Sequence, residues 1–202
     1  MKTKMLLVGF VLSVFIQIQA QDRKFNFGFK IAPAVSWLGV DGNNASSNGG
    51  LARFNWGFIG TYNFSENFSL VSGFNINSLG GNVKYGVSPD NREVTHKYSE
   101  FQLPAIFQMQ SKDISAFKIF AQLGLGEGLI MSAKAGNGDK ISGSTRNFNT
   151  SYIIAAGTIY NAIGGVNLLG AIKYNGGLVN INKDKQFKAR PSFVELTIGV
   201  LF

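Results

Sequence analysis

Five charged side chains dominate the chemistry this 202-residue chain could do: Lys30, Arg53, Glu100, Lys173 and Glu195. Each falls on the polar side of a stretch whose other side is apolar. A carboxylate set between ammonium groups stays ionised and can fill a cavity or gate a narrow passage. Both readings are open for these five. His96 is the single histidine. A hydrolase needs an activated nucleophile beside a base, yet the same-face strand neighbours of His96 are Val94 and Tyr98. Only Thr95 and Ser99 stand near in sequence, so His96 reads as a polar residue at a loop base and no catalytic residue is assigned.

Other patterns fall short of a site. "GLGEGL" (Gly124 to Leu129) lacks the spacing and the following helix of a nucleotide loop. "DGNN" and "GNGDK" lack calcium-ligand spacing and read as turns. No metal or cofactor is expected. With no cysteine there is neither a disulfide nor a thiolate. A nucleic-acid footprint needs one basic face with interleaved aromatics; here the basic residues are dispersed, apart from Lys183, Lys185, Lys188 and Arg190 in "NKDKQFKAR". Such a cluster could meet anions by charge, or simply be solvated.

Whether the five charges meet depends on the elements that carry them. Eighteen Phe and 25 Gly alongside only 15% charged residues point to β structure with tight turns. "KFNFGFKI" puts Phe25, Phe27, Phe29 and Ile31 on one face. At the other end, Val194, Leu196, Ile198, Val200 and Phe202 share a face. The polar faces carry Asn, Ser, Gly and Thr rather than the many charges of a soluble sandwich. Aromatic-rich apolar faces suit lipid.

Eight such segments are expected, at about 24–38, 52–64, 67–79, 94–109, 116–131, 148–160, 165–178 and 191–202. Their connections alternate long and short. The pattern predicts an all-β, eight-stranded antiparallel up-and-down transmembrane barrel, with long loops outside and both mature termini periplasmic. The stretch Tyr152 to Ile172 has no charge and is long enough for a spanning helix; its "NAIGG" centre favours two strands and a turn. Lys2 and Lys4, an apolar run and then Ala20 predict a signal peptide over residues 1–20. The barrel domain then occupies residues 21–202.

On that frame Lys30 lies on the first strand, Lys173 on the seventh and Glu195 on the eighth, at about one height. The eighth strand of a closed barrel neighbours both others. Glu195 is therefore expected between two lysines in a lumenal ion network, with Arg53 and Glu100 also facing inward.

Several stretches resemble the small outer-membrane β-barrel family typified by PorT-like proteins of Gram-negative bacteria: "GFKIAPAVSWL", "GTYNFSENFSLVSGFNI", "FQLPAIF" with Gln102 and Pro104, and "IKYNGGLVNI" with Tyr174, Gly177 and Leu178. Ala32 stands where that family usually has a second glycine. The resemblance implies a barrel in the outer membrane. It also implies Phe202 as a signal read by the barrel-assembly machinery, and export-system components as partners. Outer-membrane lipid and lipopolysaccharide are the other expected partners. The function expected is a structural or interaction role through outer loops, accessory to protein export, with a narrow channel as the alternative and a hydrolase behind it.

Overall fold

The computed structural model describes residues 24–42, 45–86, 92–136, 138–162, 165–183 and 187–202. The expected signal peptide lies outside them. Ten strands follow one another: β1 (Phe25–Asp41), β2 (Ala45–Ser47), β3 (Leu51–Asn63), β4 (Phe68–Tyr85), β5 (Arg92–Gln110), β6 (Phe117–Ala135), β7 (Asp139–Lys140), β8 (Phe148–Asn161), β9 (Asn167–Gly177) and β10 (Lys188–Leu201). All pairings are antiparallel. β1 pairs β10 on one side and β3 on the other, and β4 pairs β5, so eight long strands close into a barrel with no open edge. β2 and β7 are short additions on β4 and β6 at the loop end.

Closure is what the backbone needs in hydrocarbon, where an unpaired edge would leave N–H and C=O groups without partners. The seam is completed by the last residue: Phe202 N–H donates to the Phe27 carbonyl at 2.7 Å, and Phe27 N–H donates back at 3.1 Å. The stretch Tyr152 to Ile172 forms parts of β8 and β9. Among the described residues no helix is long and apolar enough to cross a membrane.

Strand alternation sorts the side chains. Phe29, Leu123 and Ile172 are each more than 60% exposed, and they belong to a continuous apolar outer surface far larger than a soluble monomer carries. Aromatic pairs border it at both ends. Phe25 with Tyr62, Phe117 with Tyr160 and Phe64 with Phe107 ring the end where the two termini lie. Trp37, Tyr174 and Tyr152 stand at the loop end. Such belts sit at membrane interfaces, where an apolar ring meets a wet boundary.

β4, β5 and β6 run past the expected boundaries; residues 84–85, which fall between the expected segments 67–79 and 94–109, continue β4. Burial is the reason. Leu79, Val83, Tyr98, Ile130 and Ala133 point inward there and pack with Leu38, Ile181, Ala189 and Phe193. This apolar plug occupies the loop-end half of the lumen around a cavity. A second apolar layer, with Ile59, Val71, Ile106, Phe120, Ile159, Leu169 and Leu201, lines the terminal-end half.

One bend shapes the plug. β3 stops pairing with β4 above Trp56–Ile76, and β4 leans onto β1 at Gly80–Gly81. Ser36 Oγ donates to the Gly80 carbonyl at 3.0 Å and accepts from the Gly80 N–H at 2.9 Å. A Cβ on Gly81 would stand 2.6 Å from the Leu38 backbone nitrogen. Only glycine lets the two backbones approach this closely.

Candidate functional site

Between the two apolar layers the lumen is polar. Its hub is Glu195 on β10, only 1% exposed, directly opposite Lys173 on β9. Oε1 of Glu195 takes the ammonium of Lys173 at 2.5 Å and that of Lys30 at 2.9 Å. Lys30 reaches it obliquely: its backbone lies opposite Gly199, four residues along β10, and the tilt of the strands brings its long side chain to the carboxylate. Thr197 Oγ1 donates to Oε1 at 3.1 Å, and Asn55 Nδ2 donates to Oε2 at 2.8 Å. Both lysines are 5% exposed. Such a cluster persists in low dielectric only because every charge has a partner close by.

The other two charges named from the sequence stand apart from this hub. Glu100 on β5 is fully buried, and its oxygens accept from Asn77 at 3.0 Å and Asn149 at 2.6 Å. Among the described residues it forms no ion pair. Arg53 is not drawn in either; its Nε and Nη2 are buried without partners, and Nη2 lies against Gly80. β4 leans inward at that point and comes between Arg53 and the lumen.

The asparagines are what sequence reasoning missed. Asn55, Asn77 and Asn149 each aim an amide at a carboxylate. Alternation puts Asn55 and Asn77 on polar faces, but their partners depend on register: Asn77 lies opposite Glu100 on the next strand, and Asn55 reaches Glu195 on β10. Gln102, two residues from Glu100 on the same face of β5, accepts from Asn75 and donates to Ser151.

Two cavities reach toward this belt from opposite mouths. One of about 100 Å³ opens at the terminal end, with Lys30 and Lys173 in its wall. The other, about 200 Å³, lies at the loop end among Leu38, Tyr85, His96, Tyr98 and Phe187. His96 is buried there. Its Nε2 meets Tyr85 Oη at 2.8 Å and its Nδ1 meets Tyr98 Oη at 3.5 Å. Hydrogen bonds to phenols leave this imidazole engaged with aromatic neighbours rather than with a serine. No cluster of metal-ligating residues occurs among the described residues.

The basic stretch is divided. Lys188 and Arg190 belong to β10, opposite Asp41 and Gly39. Lys183 Nζ donates to the Gly143 carbonyl at 3.2 Å. Lys185 lies outside the described residues. Phe202 closes the seam and is 58% exposed on the outer surface.

A family model described as "Outer membrane protein beta-barrel domain" matches residues 19–183. No curated protein matches in sequence. The fold is similar to that of Neisserial surface protein A, with a TM-score of 0.58 at 18% identity, covering 88% of this chain and 96% of that one. It is also similar to the outer membrane protein OprG from Pseudomonas aeruginosa, with a TM-score of 0.52 at 11% identity over 88% and 95% of the two chains. Lipid-facing strands, closed seam and matched residues agree: the chain belongs to the outer membrane protein beta-barrel domain family of Gram-negative outer membranes.

Proposed function

We propose that this protein is a non-conducting outer-membrane barrel that acts at the cell surface through its loop end and catalyses nothing. The observation that carries this is the filled lumen. Among the described residues the Glu195 hub and the apolar plug lie between the two cavities. An eight-stranded wall leaves room for little more than its own side chains. What remains free to engage partners is the loop end, where β4, β5 and β6 extend beyond the aromatic belt.

In this reading both termini are periplasmic and the loops face outside, as short turns and long loops are distributed in such barrels. Phe202 acts as the assembly signal. The sequence likeness to PorT-like proteins supports an accessory role in protein export as the finer assignment. A narrow channel is the second reading, favoured by the two cavities that enter from opposite ends.

Labelling of intact cells tests the surface assignment. A membrane-impermeant amine reagent should mark Lys183 and Lys188, while an epitope inserted after Gln21 stays shielded until the outer membrane is permeabilised. The reverse pattern would overturn the assignment.

A further inference from the structure

On the outer surface just above the apolar band, the strand register sets cations side by side. Lys97 on β5 lies opposite Lys134 on β6, and Lys134 lies opposite Lys140 on β7. All three are exposed. Their neighbours Tyr98 and Ala133 point into the plug, so Lys97 and Lys134 point away from the lumen. Lys97 is also opposite Gly80 on β4. Leu79, next to Gly80, faces inward, so the bare side of Gly80 faces out. A Cβ there would come within 2.9 Å of Arg53 Nη2. The guanidinium thus lies behind the row, with its Nε and Nη2 buried, and the exposed cations are the three lysines.

Like charges directly opposite on neighbouring strands repel. Among the described residues none of the three lysines joins a salt bridge. Nearby acids are directed elsewhere: Glu93 is opposite Lys84, Asp139 is opposite Ala135, and Glu127 accepts from Thr150. Directly below the row is a line of hydroxyls, Ser78, Ser99 and Ser132, paired in register. Below that line the apolar Ile76, Phe101 and Leu129 begin. Lys97 stands four residues above Phe101, a rise of about 10 Å along a tilted strand. That rise carries Lys97 clear of the hydrocarbon to the outer limit of the headgroup layer, which adds roughly 5–8 Å on each side.

We propose that Lys97, Lys134 and Lys140 form a site for the phosphate groups of lipopolysaccharide, the glycolipid surrounding the barrel's loop end, with Ser99 and Ser132 donating hydrogen bonds from below. The row is continuous with the lipid-facing band, so a lipid already docked on Phe101 and Leu129 presents its phosphates to the lysines without leaving the wall. Phosphate binding neutralises the repulsion that the register imposes. The site rests on the loop end facing outside.

The test uses the full-length barrel folded in neutral detergent, with its unfolding midpoint read from heat-modifiable gel mobility. Lipopolysaccharide should raise the midpoint of the wild type, and dephosphorylated lipopolysaccharide should not. A Lys97→Gln, Lys134→Gln, Lys140→Gln variant should bind on the order of a hundredfold more weakly, from roughly fivefold per lysine near an anionic surface. Without glycolipid, Lys134→Gln alone should raise the midpoint, because it removes the cation flanked on both sides. This single variant carries the same titrations if the triple variant does not refold. Equal shifts with the dephosphorylated glycolipid, an undiminished shift in the variants, or the same shift from inorganic phosphate alone would overturn the proposal. Loop-end labelling that holds while these titrations fail removes this site and leaves the surface assignment standing; reversed labelling removes both.

Discussion

Replacing Glu195 by glutamine should destabilise the barrel by about 3–5 kcal/mol, the cost of leaving buried charges without their counter-ion. Two ammonium groups converge on its Oε1, and the amide cannot neutralise either. Lys173→Met should cost clearly less, since the Lys30–Glu195 pair stays intact. Urea midpoints of the two variants, read by gel mobility, check the order; a larger loss for Lys173→Met would mean that Glu195 is not the hub. These charges were legible in the sequence because parity alone puts Lys30, Lys173 and Glu195 on inward faces. The asparagine donors and the separation of Arg53 were not. The first depend on how β3 meets β10 and on how β4 and β8 present amides to Glu100 on β5, and the second depends on a bend in β4 that no local pattern signals.

Among the strands, alternation of Phe, Ile and Leu with small polar residues was enough to find all eight walls, since a lipid-facing side and a lumenal side impose the same period on each. The ends were harder. β4 and β6 continue past the apolar band because Val83 and Ala133 are still covered by the plug, and inward burial leaves no outward mark in sequence. The β4–β1 approach leaves no room for a side chain at Gly81. Gly81→Ala would place a methyl group against the Leu38 backbone nitrogen, and backbone cannot move aside as a flexible side chain can. An expected loss of about 1–3 kcal/mol follows from such overpacking. An unfolding midpoint unchanged by Gly81→Ala would show that the two strands do not meet as described.

Taken as one body, the protein is a closed cylinder with an apolar membrane face, and inside it Lys30, Lys173, Glu195 and Glu100 lie between two apolar clusters. The closed fold and its place in the outer membrane were legible from composition, period and loop lengths together, because few other architectures bury so little charge while exposing so many aromatics. The contents of the lumen were legible only as a set of inward residues, and it is their packing that decides between a plug and a passage. Single-channel recording in planar bilayers tests this most directly. The purified barrel should insert and give no discrete current steps, at neutral pH and moderate salt, and Glu195→Gln should leave the trace silent. Reproducible unitary currents from the wild type, altered by Glu195→Gln, would show an ion path through the hub and contradict the sealed lumen.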